Sequence, residues 1–167
     1  MTFWKVKSKE VGKLLDEWEV REDAGRKALA KLGKEIGAKD IGLNTSFFTG
    51  MPHSAAFTFP MHADVDSSLW TKPDRDGYRK AKATAKDLRK RIEGVLTTFG
   101  DLSVIMKELN IAKYQFDGLT IWLPKFAKKG NTWYFSARGK YPGNKAVERI
   151  TDIQMERLFP TKKKKSA

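Results

Sequence analysis

An α+β fold is predicted, with two long amphipathic helices and a shorter one packed on an antiparallel sheet. Three observations predict it. Apolar residues recur at helical spacing over residues 8–37 and again over 74–99. Short runs rich in β-branched and aromatic residues, bounded by Gly and Pro, lie between and after these stretches. Of the 167 residues, 40% are hydrophobic and 11% aromatic, enough to fill one core without covalent staples.

The elements follow in order. Residues 3–7 alternate weakly and read as a short strand. Ser8 caps the next helix, because its hydroxyl can accept from the open backbone N–H groups of a first turn. Val11, Leu14, Leu15, Trp18, Ala28, Leu29, Leu32 and Ile36 share one face of that helix, and Gly37 suits its end. Gly25 falls on the same face, where it either breaks the helix or admits another backbone. Residues 41–49 and 55–59 read as strands about a Gly50-Met51-Pro52 turn, and 60–73 as a loop.

The second helix spans 74–99, with Leu88, Ile92, Val95, Leu96 and Phe99 in its buried stripe. A shorter helix over 101–110, capped by Asp101, buries Val104, Ile105 and Leu109. Residues 119–123 and 132–137 form a hairpin, with 128–131 as the turn and Pro124 closing the first strand. Residues 147–159 read as a short strand and a C-terminal helix. Residues 1–160 are expected as a single α+β domain and 161–167 as a disordered basic tail. Both long helices are expected on one sheet containing the 41–59 and 119–137 strands.

The absence of cysteine excludes disulfides and thiolate metal sites. No secretory signal and no apolar stretch of membrane-spanning length is present, so a cytoplasmic location without a membrane partner is expected. The net charge of +13 and a pI near 9.9 bear on partners and solubility and leave nucleic acid, anionic lipid and an acidic protein open.

The excess charge is localised. Residues 74–99 carry eight basic against four acidic residues, 124–145 carry six against none, and Lys162–Lys165 follow in the tail. At helical spacing Arg75, Arg79, Lys82, Lys86 and Lys90 fall within roughly 80° of one another, opposite the apolar stripe. Such a row repels itself, and phosphates would neutralise it; plain solvation of a helix face is the competing account. In the later stretch Lys128, Lys129, Arg138 and Lys140 interleave with Phe126, Trp133, Tyr134, Phe135 and Tyr141. Single-strand binders use that mixture, bases stacking on rings and phosphates meeting cations. A hairpin whose rings pack in a core has the same composition.

Candidate chemistry is sparse. If residues 62–66 are extended, His62, Asp64 and Asp66 project on one side and offer one imidazole and two carboxylates to a divalent metal. Turn and cap chemistry accounts better for an Asp-rich loop, so no metal and no cofactor is expected. No nucleophile elbow or phosphate-binding fingerprint is present. Arg138-Gly139-Lys140 and Gly143-Asn144-Lys145 either cradle one phosphate or form a tight turn.

Leu69-Trp70-Thr71-Lys72-Pro73-Asp74, followed by Gly77-Tyr78, resembles a segment of small uncharacterised bacteriophage and prophage proteins. An aromatic N-terminal strand, the Ile36-Gly37-Ala38 helix end and two Phe-containing strands extend the resemblance over roughly residues 3–80. It implies a setting, infection of a bacterium, and no catalytic residue. The expectation is a non-catalytic, phage-type binding protein in the host cytoplasm that engages nucleic acid or a host nucleoprotein complex. A protein inhibitor of a host enzyme or defence system is the alternative, followed by a metal-dependent hydrolase acting on nucleotides.

Overall fold

Seven strands and five helices make up the described part of a computed structural model, which covers residues 1–59, 62–66, 85–118 and 121–161. Residues 59, 62–66 and 85–88 are described through their backbone alone. In chain order the elements are β1 (Thr2–Val6), α1 (Lys9–Ile36), β2 (Asp40–Thr45), β3 (Pro52–Phe59), β4 (His62–Asp66) and α2 (Ala85–Leu96). There follow α3 (Ser103–Glu108), α4 (Ile111–Phe116), β5 (Lys125–Lys129), β6 (Thr132–Ala137), β7 (Val147–Ile150) and α5 (Asp152–Leu158). The class is α+β with antiparallel sheets, as predicted. No helix among the described residues is long and apolar enough to cross a membrane.

The strands form two sheets rather than the single one expected, ordered β5-β6-β1-β7 and β2-β3-β4. The chain divides correspondingly into two compact units, Met1–Asp16 with Ser103–Ala167, and Glu17–Leu102. Helix α1 lends its first residues to the former and the rest to the latter.

In the first unit the Ser8 hydroxyl accepts a hydrogen bond from the Val11 N–H at 3.3 Å, as its capping role requires. The hairpin differs from its predicted form. Lys129 pairs with Thr132, so the turn is only Gly130-Asn131, with Gly130 at φ 58°. A two-residue turn pairs its flanking residues directly, so the first strand must run up to Lys129. The ladder therefore occupies Lys125–Lys129, and Pro124 precedes the strand instead of ending it.

The expected helix over 101–110 is also two pieces. Asn110, at φ 58°, breaks it, and α4 continues beyond. Ile105, Met106 and Leu109 are buried, but Val104 is 55% exposed, because it lies about 100° around the helix from Ile105. At the C-terminus the expected strand and helix are both present. A capping box starts α5: the Thr151 hydroxyl accepts from the Gln154 N–H, and the Gln154 side chain accepts from the Thr151 N–H at 2.8 Å.

The second unit closes on Leu29, Leu32 and Ile36 of α1, Ala55 and Phe57 of β3, and Ile92, Leu96 and Phe99. Helix α1 runs unbroken through Gly25. A Cβ there would stand 2.6 Å from the Phe99 ring, so glycine makes room for a side chain and not for a second backbone. Gly37, at φ 75°, ends the helix. Residues 62–66, expected in a loop, are a strand paired with β3. An edge strand tolerates charged residues that would be costly in a central one, which is why the Asp pattern concealed it. The predicted helix over 74–99 is described from Ala85 and ends at Leu96; its earlier part, with Arg75, Arg79 and Lys82, lies outside the described residues, as does the tail beyond Thr161.

Candidate polyanion-binding face

Register sorts the basic hairpin into two chemically different faces. Residues directly opposite in a ladder share a face, and alternate residues switch. Tyr134 stands opposite Ala127 and Lys5, and Lys5 opposite Glu148. Lys125 stands opposite Ser136, which faces Phe3 and through it Ile150. Lys129 and Thr132 complete this outer face. The inner face carries Trp4, Val6, Trp133, Phe135, Ala137 and Val147, all buried.

The inner face fixes Lys128. Its Nζ meets Asp16 Oδ1 at 2.6 Å, and the Trp133 indole N–H donates to the same oxygen at 2.8 Å. The ammonium also lies 5.6 Å from the Trp133 ring centre. The hydrogen bond from Lys128, and then that from Trp133, hold the Asp16 carboxyl below its ordinary range. Lys128 thus has a structural partner. Lys129, one residue on, is exposed on the other face, and Lys125 is exposed there too. About 13 Å of strand separates these two. Lys5, half-buried on the same face, is a third cation that sequence reasoning missed. Its signal was the alternation of the N-terminal strand, readable once a partner strand fixed the register.

Arg138 and Lys140 are exposed at the end of β6 nearest Lys125. They do not form a cradle with Lys145. Strands β6 and β7 both run antiparallel to β1, so the link over 138–146 must pass from the Thr2 end of β1 to its Val6 end. Tyr141 anchors this link: its hydroxyl donates to the Leu109 carbonyl at 2.7 Å, and its ring packs edge-on to Trp4 at 5.1 Å. Burial, and then the neighbouring Tyr114, raise the Tyr141 phenol and keep it a donor. The Asn144 amide donates to the Glu108 carbonyl at 2.9 Å. Gly143, at φ 79°, lies where a Cβ would come 2.5 Å from the Trp4 ring. The glycines therefore serve a crossing beneath the sheet, and Arg138 and Lys145 are parted by it.

Of the two readings of the hairpin's rings, the packed core is the one the structure shows. Trp133, Tyr134, Phe135 and Tyr141 are all buried, the first and third on the inner face and Tyr134 beneath α5, edge-on to Phe159 at 5.7 Å. These rings hold the sheet and are closed to stacking bases. What remains accessible is cationic: Lys125, Lys129, Arg138 and Lys140, none in an ion pair with a described acid.

Of the helical row, Lys90 is exposed; the side chain of Lys86 lies outside the described residues. The weak metal-ligand candidates His62, Asp64 and Asp66 stand on β4, whose register with β3 shifts between Phe57 and Phe59, so regular alternation does not run unbroken along it. Their side chains also lie outside the described residues. Among those described, no group of three His, Asp or Glu residues could hold a metal ion. No protein-family model, curated protein or solved structure matches the chain.

Proposed function

We propose that this chain is a non-catalytic binding protein that holds single-stranded nucleic acid, alone or within a host nucleoprotein complex, on the outer face of its first unit. One observation carries the reading. The strand register gathers Lys5, Lys125 and Lys129 on one sheet face, with Arg138 and Lys140 at its end; none of the five makes an ion pair among the described residues, and the one acid paired across the ladder is Glu148, opposite Lys5. Cations without ion pairs, spaced along one sheet face beside α5, are a backbone-tracking arrangement, and each phosphate they meet releases condensed counterion. The buried aromatics make the surface rigid and leave the charges to do the binding. A phage setting agrees with the resemblance over residues 3–80.

The test is fluorescence anisotropy of labelled single-stranded DNA across a salt series. Binding should weaken linearly in log salt. Lys125→Ala/Lys129→Ala should reduce the slope by about 1.4, the share of two phosphate contacts on a single strand. Absence of binding at low salt would remove this function.

A second reading, an inhibitor that docks on a host protein, draws on the second unit. Phe47 and Phe48 are 51% and 60% exposed. Their loop is held by the Gly50 N–H donating to the Ser46 carbonyl, the Ser46 N–H to the Met51 carbonyl and the Leu102 N–H to the Thr49 carbonyl. A pre-ordered pair of exposed rings is the type of anchor that fills a pocket on a protein partner. Retention of a host protein after nuclease treatment, lost in Phe47→Ser/Phe48→Ser, would favour it.

A further inference from the structure

Between the outer sheet face and α5 lies a cleft of about 340 Å³, lined by Lys5, Tyr134, Glu148 and Ile150 of the sheet and by Gln154, Arg157 and Leu158 of the helix. Its walls differ in chemistry. Lys5 and Arg157 bring positive charge, and neither side chain has a hydrogen bond or ion pair among the described residues. Glu148 stands directly across the β1–β7 ladder from Lys5 and also lacks an ion pair there. Ile150 and Leu158, both half-buried, form the apolar part. The capping box takes the Gln154 Oε1 and leaves its Nε2 amide as a donor.

A simple anion placed here would be opposed by Glu148, and a simple cation by Lys5 and Arg157. The ligand that satisfies both has an anionic end, a flat apolar body and an N–H donor. A nucleotide whose base bears an exocyclic amine is such a ligand. We infer that this cleft receives one nucleotide of a bound strand, its phosphate at Lys5 and Arg157, its base against Ile150 and Leu158, and its amino group donating to the Glu148 carboxylate. This rests on the single-strand reading above and adds to it a preference among bases. Cytosine presents an N4 amino donor where thymine presents the O4 acceptor, and a carboxylate accepts from the first and repels the second.

Anisotropy with labelled oligodeoxycytidine and oligothymidine of about ten nucleotides tests it. The intact protein should bind the cytidine strand roughly two- to tenfold more tightly, the share of one such hydrogen bond. Glu148→Gln, whose amide both donates and accepts, should abolish the difference, while Arg157→Ala should weaken both strands alike. Equal affinities in the intact protein, or a preference that survives Glu148→Gln, would overturn the pocket and leave the polyanion reading standing. Failure of both strands to bind at low salt would overturn the two together. Circular dichroism confirms that each variant is folded; Glu148 and Arg157 are both exposed, so neither change opens the core.

Discussion

The first unit carries fourteen Lys and Arg against seven Asp and Glu among its described residues, and the second carries ten against eleven. In the second, cations have local acidic partners: Arg26 with Glu22, Lys27 with Asp23 and Arg91 with Glu35. In the first, the one ion pair among the described residues is Lys128 with Asp16. Both units have fully buried aromatic centres, Phe135 in one and Phe57 in the other. Packing therefore does not distinguish them, whereas the placement of unpaired charge does. Surface ion pairs contribute little stability, so the contrast bears on partners and not on folding.

The largest expected effects probe the likeness of the two centres. Phe135→Ala and Phe57→Ala should each cost about 3–5 kcal/mol, because both rings are enclosed and their loss leaves a cavity. Chemical denaturation measures this. A cost below about 1 kcal/mol at either site would mean that the ring is not packed as described. Of the two, only Phe135 lies in the sheet that presents Lys125 and Lys129, so its loss should also impair anion binding wherever the fold is weakened.

A smaller, pH-dependent effect sharpens the comparison through one acid of each unit, the exposed Asp16 and the half-buried Glu22. Burial raises the Glu22 carboxyl above its ordinary 4.5, against the opposing pull of Arg26 and of the Gly100 N–H. One carboxylate oxygen, Oε1, is buried without a hydrogen-bond partner. Between 4.5 and the raised value the folded state binds more proton than the unfolded state, so stability falls as pH rises across that window. Glu22→Gln should match the parent at acid pH and exceed it at neutral pH. Asp16 has the opposite sign: its lowered value gives stability that is present above 3.8 and lost as pH falls through the folded value. Asp16→Asn should therefore be destabilising at neutral pH. Urea midpoints at acid and neutral pH measure both, and a Glu22→Gln that is less stable than the parent at neutral pH would contradict the assignment.

Much of this contrast was legible in the sequence. Helical periodicity located α1 from Ser8 to Gly37, and the basic excess of 124–145 lies in the unit that remains cationic. The sorting within that excess was not legible. Lys128 and Lys129 are neighbours of identical chemistry, and only the two-residue turn decides which faces Asp16 and which faces outward. Misplacing the first strand before Pro124 left that register unknown. The rings of Trp133, Tyr134 and Phe135 gave a binding signature by composition alone, yet neighbouring elements cover both faces, which alternation along one strand cannot reveal. Strand β4 was hidden because its Asp residues suit a loop as well as an edge. Lys5 and Glu148 lie far apart in sequence, and only the pairing of β1 with β7 brings them together.

Two matched charge reversals test the central claim most directly. Lys125→Glu/Lys129→Glu changes the outer face of the first unit; Lys31→Glu/Lys34→Glu makes the same change in net charge on exposed positions of the second. Exposed substitutions of this type typically alter stability by no more than about 0.5 kcal/mol each. Affinity for single-stranded DNA, measured across the same salt series, should fall steeply and lose salt dependence in the first variant and stay close to the parent in the second. Equal losses in both variants would show that net charge alone attracts the polyanion and would contradict a binding face.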